Sequence, residues 1–297
     1  MTAQSTTAAT LVQPRASRGL WGDAARRLLR NGPALIGLAI IAVFVLSAIL
    51  APVIAPYEAL QRDAGQVFKP PSATHLMGTD RQARDVFSRI LFGSQISLLV
   101  GVVSVLMGVT MGGTIGAIAG AFGGRLDAIL MRMVDVLLAI PGILLAIGIV
   151  VWLDRGLIQI MFAVAATNAP IFARILRGSM LALRESDYVI AARSMGASTG
   201  RLLLRHMLPN ALTPIIVAST LALATAIIDV AGLGFLGLGP PDPRTAEWGT
   251  MLTNATSFYR QAPWIILFTG ASISISAIGF NLLGDGLRES LDPRLKR

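Results

Sequence analysis

The stretch ISLLVGVVSVLMGVTMGGTIGAIA, Ile96 to Ala119, contains 24 residues and no charged side chain. A helix of about 20 apolar residues is long enough to cross the roughly 30 Å hydrocarbon core of a bilayer. The stretch lacks the alternation of apolar and polar residues that a strand of a membrane barrel requires. Because only helices and closed barrels span a bilayer, the stretch predicts a transmembrane helix.

Five further runs share this character. Hydrophobic residues make up 54% of the chain and charged residues only 14%, whereas charged residues form about 25% of a soluble domain. The predicted spans are Ala34–Ile54, Ile96–Ala119, Val136–Leu153, Leu157–Leu176, Leu212–Gly239 and Trp264–Leu283. Only Asp154, Arg155 and Gly156 separate spans three and four, which predicts a tight hairpin. The fold class is therefore an all-α membrane protein with six transmembrane helices within residues 34–286.

The two ends of the chain are predicted to be cytoplasmic tails, residues 1–33 and 287–297. Residues Trp21–Arg30 favour a short surface helix, and the first apolar run is too long for the core of a signal peptide, so it reads as an uncleaved anchor. With the N-terminus inside, 17 of the 25 Lys and Arg flank the spans on the cytoplasmic side and 8 lie outside. This asymmetry is the positive-inside pattern. It explains the net charge of +9 without a nucleic-acid partner, which would require a basic face on one folded domain.

Several chemistries are excluded by residue type. The chain has no cysteine, so disulfides and thiolate metal sites are absent. Its two histidines, His75 and His206, fall on opposite sides of the predicted membrane and lack metal-ligand spacing. Neither lysine, Lys69 or Lys296, follows a Gly-x4-Gly loop. We therefore expect a non-enzymatic subunit that contains no metal site and binds no ATP itself.

The connection over residues 177–210 is basic and predicted to be cytoplasmic. Candidate helix caps are Ser186 or Asp187, and Ser198 or Thr199. Gly196 suits the left-handed residue that ends a first short helix, and a second helix is expected to stop before Pro209. One side of the pair is apolar: Val189, Ala192, Leu203 and Met207. Such a pair either fits a groove on a partner protein or rests on lipid headgroups.

Here the sequence resembles a known family. Ala191-Ala192, three residues, Gly196, nine residues and His206 to Pro209 match the loop E-A-A-x3-G-x9-I-x-L-P of ABC importer permeases. Ile190 replaces the glutamate and His206 the isoleucine, and both departures are familiar in the peptide and nickel branch of that family.

Three further motifs resemble the C-type subunits of dipeptide, oligopeptide and nickel importers. They are Gly78-Thr-Asp80 with Arg84-Asp-Val86, Ser88-Arg89, Gly93 and Ser97-Leu98; Gly232-Leu-Gly-Phe-Leu-Gly-Leu-Gly239 with Trp248-Gly249; and Gly284-Asp-Gly-Leu-Arg288 with Leu291-Asp-Pro-Arg294. In the first motif, Ala83 replaces a usual Gly and Gln95 a usual Arg. The four motifs follow one another in order from about residue 30 to the end.

The resemblance implies a type I ABC importer permease of the bacterial cytoplasmic (inner) membrane. Its expected partners are membrane lipid, a homologous B-type permease, two cytoplasmic ATPase subunits or domains that bind ATP and Mg, and an external binding protein. Dipeptides or oligopeptides are the expected substrates, with nickel and glutathione as alternatives. The EAA loop would seat in a cleft of the ATPase. The coupling residues would be Ala191, Ala192, Arg193, Gly196, Arg201, Arg205, Leu208 and Pro209. The three arginines either pair with acidic groups of the ATPase or anchor the loop at the inner surface.

Two features lie within the spans. Gly108, Gly112, Gly116 and Gly120 recur every four residues, a pattern that lets another helix approach closely; they serve packing, or face the pathway or the second permease. Asp229 lies deep in span five, where a charge is costly and usually functional. Asp229, Asn168 and Asn281 are candidates for lining the translocation pathway. Alternatively, Asp229 is hydrated near the outer end of the span, or it pairs with Asn168 or Asn281.

Two other functional classes fit less well. An ion-coupled secondary transporter is expected to show internal repeats and paired intramembrane charges, and the sequence shows neither. An intramembrane serine protease needs a serine and a histidine at membrane depth, but both histidines fall in loops.

Overall fold

The structure is a computed structural model, and it describes residues 20–242 and 245–291. The outer parts of the predicted tails, residues 1–19 and 292–297, lie outside these ranges. The described part is helical, and its only extended pairing is a single bridge between Thr79 and Asp85. Its helices are α1 Leu20–Leu28, α2 Gly32–Ile54, α3 Val86–Phe122, α4 Gly124–Leu138, α5 Gly142–Leu153, α6 Leu157–Arg184, α7 Asp187–Ser194, α8 Thr199–Leu238, α9 Trp248–Thr256 and α10 Pro263–Leu291.

The prediction of an all-α protein with several spans is confirmed. Within the described residues, five helices are long and apolar enough to cross a membrane: α2, α3, α6, α8 and α10. All five extend beyond the predicted spans, and four of them by eight residues or more: α3 begins at Val86, α6 runs to Arg184, α8 begins at Thr199 and α10 runs to Leu291. The added ends are richer in charged and polar residues than the apolar runs that marked the spans.

The third predicted span, Val136–Leu153, is wrong as one continuous helix. It covers the last residues of α4 and all of α5, and these two helices are bent by 92° relative to each other. Pro141 causes the break: it has no N–H to donate, and its ring disfavours helical geometry at Ile140. Pro141 therefore precedes α5 in an extended conformation, with ψ of 127°. By contrast, Pro170 lies inside α6 and Pro214 inside α8.

Among the described helices, α3 and α6 share the most extensive contact. Along α3, the glycine ladder faces the α6 main chain: Gly112 packs against the Ala169 carbonyl and Gly116 against that of Ala173. At Gly108, an added Cβ would lie 3.2 Å from the Ala165 oxygen. Because each of these glycines carries no side chain, the two backbones approach within contact distance, which side chains would prevent.

Two buried apolar clusters surround this pair. The larger joins α3, α5 and α6 to α7 and α8, with Phe172 at its centre. The second joins α2 and α3 to α9 and α10 around Trp248, which is completely buried. The outer faces of the spans stay apolar, as for Val53 of α2, which is 81% exposed. Such a surface suits lipid or another membrane helix.

The connection between α2 and α3 lies in the segment 55–95, which the sequence predicts to be external, and it is ordered by a buried histidine. We call it the external connection after that prediction. His75 is 2% exposed, its Nδ1 lies 3.0 Å from Asp85 Oδ1, and its ring stacks on Tyr57 with 4.9 Å between centroids. Asp85 also caps α3, because its Oδ2 accepts a hydrogen bond from the Ser88 N–H at 2.7 Å. His75 therefore joins the segment to the start of α3.

The glycine-rich end of α8 accommodates a buried carboxylate. Glu247 is 1% exposed and caps α9, accepting hydrogen bonds from the Gly249 and Thr250 N–H groups at 2.7 and 2.8 Å. Gly234 leaves it room, because an added Cβ there would lie 2.7 Å from Glu247 Oε2. Burial raises the pKa of the Glu247 carboxyl, although the two main-chain hydrogen bonds act in the opposite direction.

Gly112→Ala tests the helix contact, with Gly113→Ala as its matched control. A methyl group at position 112 overlaps the Ala169 main chain, whereas at 113 it meets only Leu176 Cδ2 at 3.6 Å. Overpacking costs about 1–3 kcal/mol, while Gly→Ala in a helix otherwise gains up to about 1 kcal/mol. We expect a lower thermal unfolding midpoint in detergent for G112A and an equal or higher one for G113A. Equal midpoints for the two variants would contradict this packing.

Glu247→Gln tests the buried cap through its pH dependence. A carboxyl whose pKa is raised on folding contributes stability below the unfolded-state value of about 4.3, and this stability is lost as pH rises through the folded-state pKa. We expect the unfolding midpoint of the unmodified chain to fall more steeply than that of E247Q as pH rises above about 4.3. Glu58→Gln, at an exposed glutamate of the external connection, is the control and should keep the original slope. Parallel curves for all three proteins would exclude a raised pKa.

Candidate coupling loop and membrane cavity

The short helix α7 ends at a glycine in the left-handed conformation. Gly196 has φ of +85°, and its N–H donates to the Arg193 carbonyl at 2.9 Å. The Ala197 N–H donates to the Ala192 carbonyl at 3.1 Å, completing the Schellman pattern of helix termination. No atom lies within 4 Å of a Cβ added at Gly196, so this position requires glycine for its backbone angle alone.

The predicted apolar side of this loop faces the helical bundle. Val189 is fully buried and Ala192 is 6% exposed, and both belong to the cluster that contains Leu203 and Met207. Ala191, in contrast, is exposed. The structure thus separates the two adjacent alanines, since one packs inward and the other lies on the outer surface.

The prediction of a separate second helix that stops before Pro209 is wrong. α8 begins at Thr199 and continues through Pro209, and its backbone leaves helical geometry only near its end, at Gly237, where φ is +78°. Wider π-type turns over Leu202–Met207 precede Pro209, and they change the hydrogen-bond register where proline cannot donate. The loop is therefore continuous with a membrane span. The expected side-chain caps are also absent: Ser186 and Ser198 occupy the cap positions of α7 and α8 without a capping hydrogen bond.

The outer surface of the loop combines apolar and basic side chains. Met195 is 83% exposed and Ile190 47%. The three arginines, Arg193, Arg201 and Arg205, are exposed, as is Pro209, while Leu208 is half-buried. Within the described residues, none of the three arginines forms an ion pair. All eight predicted coupling residues lie in this loop, but Ala192 is directed away from its surface.

Two residues that the sequence did not single out join α7 to α8. The Asn210 amide donates to the His206 carbonyl at 2.7 Å and to the Tyr188 hydroxyl at 3.3 Å. In the sequence, these residues were marked only by being an aromatic residue near the start of the motif and an amide residue just after its end.

An ion pair joins α6 to α4. The Arg177 guanidinium donates to both Asp127 oxygens, at 2.5 and 2.7 Å. This pair fixes α6 to α4 near the base of the loop.

A cavity of about 300 Å³ lies at the break between α4 and α5. Its polar lining residues are Asp229, Asn168, Thr167 and Thr225, and its other lining residues are Gly142, Ile143, Ala146 and Ile171. The Asp229 and Asn168 side chains do not pair: the Asn168 amide donates to the Val164 carbonyl at 2.9 Å, and no described residue hydrogen-bonds to the Asp229 carboxylate. Asn281, on α10, is exposed and does not line this cavity.

Family comparison fits this arrangement of spans around a basic, helical loop. Residues 112–297 match the family described as the binding-protein-dependent transport system inner membrane component. The chain belongs to that family. Residues 19–71 also match the N-terminal transmembrane domain of oligopeptide transport permease C. As an inner-membrane transport component, the chain is neither an ion-coupled secondary transporter nor a protease.

The curated relatives of this inner membrane component cover nearly its whole length. It is 44% identical to the dipeptide transport system permease protein DppC of Alkalihalophilus pseudofirmus over 93% of this chain and 90% of that one. It is 41% identical to the oligopeptide permease OppC of Bacillus subtilis, over 95% and 92%. The glutathione permease GsiD of Shigella flexneri is 45% identical, over 96% and 94%.

A solved structure supports the type I importer fold. The inward-facing MetNI methionine ABC transporter superposes with a TM-score of 0.54, covering 69% of this chain and 96% of the matched chain. Sequence identity is 21%, so this likeness concerns the fold alone. About a third of the present chain lies outside this match.

Proposed function

We propose that this permease carries dipeptides or oligopeptides inward as half of an ATP-driven translocation pathway. The relatives named for dipeptide and oligopeptide transport, aligned over nine-tenths of each chain, support that substrate class. Glutathione is the second candidate, favoured by the glutathione permease at 45% identity. Glutathione is itself a small peptide derivative, so both substrates present carboxylates and an amino group.

In this proposal, the other parts of the transporter are separate proteins. A homologous B-type permease supplies the second half of the pathway, an external binding protein delivers the substrate, and two cytoplasmic ATPase subunits or domains bind ATP and Mg. Both termini and the loop over residues 177–210 face the cytoplasm. The excess of Lys and Arg on that side supports this orientation.

The geometry of α7 is the observation that carries the coupling role. Its inner face is buried in the same cluster as α6 and α8, while its outer face presents Met195 and Ile190. An ATPase that displaces α7 therefore displaces both α6 and α8. If its contact with α7 differs between two nucleotide states, the nucleotide state shifts the equilibrium between two conformations of the permease. The unpaired arginines at positions 193, 201 and 205 suit an acidic rim around an apolar groove.

Gly196→Val tests the coupling loop. A β-branched residue cannot adopt φ near +85° without strain, so α7 should lose its end and its orientation. We expect at least a several-fold loss of co-purifying ATPase and of substrate-stimulated ATP hydrolysis. Gly196→Asn should retain more of both, because asparagine tolerates the left-handed region.

Gly200→Val is the matched control for this series. Gly200 lies four residues away in the first turn of α8, has no positive φ, and has no atom within 4 Å of an added Cβ. Its variant should retain the ATPase. Unchanged ATPase binding and transport in G196V would refute the coupling role of this loop.

We further propose that Asp229 and Asn168 line the translocation pathway, where the carboxylate attracts the ammonium group of a passing peptide. Asp229 has no partner among the described residues and faces a cavity lined by hydroxyls and an amide. An intramembrane acid of this kind is a functional candidate by default. Asn281 remains a candidate pathway residue on a separate, exposed face of α10.

Asp229→Asn tests this role. Because the carboxylate has no partner to lose, the variant should fold and bind the ATPase normally. A hydrogen bond to a charged group contributes about 1.5–3 kcal/mol, so uptake of free-amino peptides into proteoliposomes should slow about tenfold or more. Asp154→Asn, at an exposed turn, should leave uptake unchanged. Normal uptake by D229N would remove Asp229 from the pathway.

A further inference from the structure

A second polar cavity lies outside the spans, between the external connection and helices α9 and α10. Its volume is about 150 Å³. Its charged lining residues are Asp80, Arg81, Arg84 and Arg89, its uncharged polar ones are Gln82 and Asn254, and the rest of its lining is apolar. Three guanidinium groups therefore share this space with one carboxylate.

That carboxylate is already fully engaged. Asp80 Oδ1 accepts the N–H groups of Gln82 and Arg84 at 2.8 and 3.0 Å, and Oδ2 accepts Arg84 Nε and a terminal nitrogen, each at 2.7 Å. A carboxylate offers about four lone-pair positions. The Asp80–Arg84 pair is therefore complete, and it leaves no strong acceptor for another cation.

The Arg89 guanidinium receives no hydrogen-bond acceptor from the Asp80–Arg84 pair. Its side chain is 3% exposed, and its Nε lies 3.8 Å from Asp80 Oδ2, an ion-pair distance but too long for a hydrogen bond. Its only hydrogen bond within the described chain is to the Ala59 carbonyl, at 3.2 Å. A guanidinium has five N–H donors, and a buried charge with so few acceptors is costly.

The cavity has a mouth that small anions can enter. Arg81 and Asn254 are exposed at its rim. The Arg81 guanidinium is held 5.6 Å from the centre of the Phe258 ring, a cation–π distance. A ligand that enters between Arg81 and Asn254 passes the exposed Arg81 guanidinium and reaches the buried guanidinium of Arg89.

We propose that this cavity binds a carboxylate, and that its natural source is the carboxyl terminus of the transported peptide, an assignment that rests on the proposed function. The planar guanidinium fork matches two carboxylate oxygens, and the ligand supplies the acceptors that Arg89 lacks. The small, recessed space suits a chain terminus better than a side chain on the surface of a folded partner. The site would hold the peptide at the outer face before it enters the pathway.

The first experiment uses acetate as the probe, with neutral acetamide as its isostere, at constant ionic strength. The full-length chain, co-purified with its partner subunits in nanodiscs, is unfolded thermally with each compound. We expect acetate to raise the unfolding midpoint and acetamide not to. Arg81→Gln and Asn254→Asp change exposed residues at the mouth and should abolish the acetate effect. Arg260→Gln, at an exposed arginine outside the cavity that contacts Tyr259, should preserve it.

The second experiment identifies the source of the carboxylate by replacing acetate with Ala-Ala and its C-terminal amide. Stabilisation by Ala-Ala, lost in the amide and in both mouth variants, supports the proposal. Stabilisation by acetate without any by Ala-Ala overturns the peptide assignment, and equal effects of acetate on all variants overturn the site itself.

Transport separates this proposal from the proposed function. Peptide uptake by the unmodified complex tests whether the chain is a peptide permease at all. If that uptake occurs and is reduced several-fold by R81Q and N254D but not by R260Q, the cavity acts in transport. If all four proteins transport equally, the cavity proposal fails and the permease assignment stands.

Discussion

The close approach of α3 to α6 is the contact on which the rest of the bundle depends. Between helices in a bilayer, burial of apolar surface gives little advantage, because lipid is equally apolar. Association must instead come from close packing, and the glycines of α3 let it meet the α6 backbone along roughly three turns, from Gly108 to Gly120. Phe172 and Met180 then fill the space beside this seam. With α6 fixed in this way, the position of α7 at its end is also determined.

Charged side chains at the two ends of the helical bundle differ in how fully they are paired. In the connection between α2 and α3, Asp80, Arg84 and Asp85 are buried with multiple partners, so this connection is a folded cap on α3. At the opposite end of the bundle, Arg177 pairs with Asp127 while the arginines of the loop remain exposed. Partnered charges make a surface rigid, whereas unpaired ones keep it available to another protein. This contrast fits a fixed entrance and a loop with a separate partner.

The sequence predicted the helical class, the apolar runs and the left-handed residue at Gly196, because length, hydropathy and glycine act locally. The sequence-based predictions failed where packing between helices determines the backbone conformation or the exposure of a side chain. Pro141 and Pro209 look alike as helix breakers, yet one bends a span by 92° and the other lies within a continuous helix. Only the π-type turns before Pro209 distinguish them. Likewise, Ala191 and Ala192 are identical in the motif, and their opposite exposure depends on the register of an eight-residue helix.

The internal cavity and the loop are connected by the same two helices. Asn168 belongs to α6, Asp229 and Thr225 belong to α8, and α7 joins α6 to α8 through a buried face and a turn. A displacement of α7 that moves α6 and α8 by different amounts would change the distance between the two polar walls of the cavity. The third wall, at Gly142, belongs to the broken span, whose two halves are free of a continuous hydrogen-bond ladder across Pro141. Such a break lets one wall adjust while α3 and α6 stay packed, so the cavity can change shape without opening the seam that holds the bundle together.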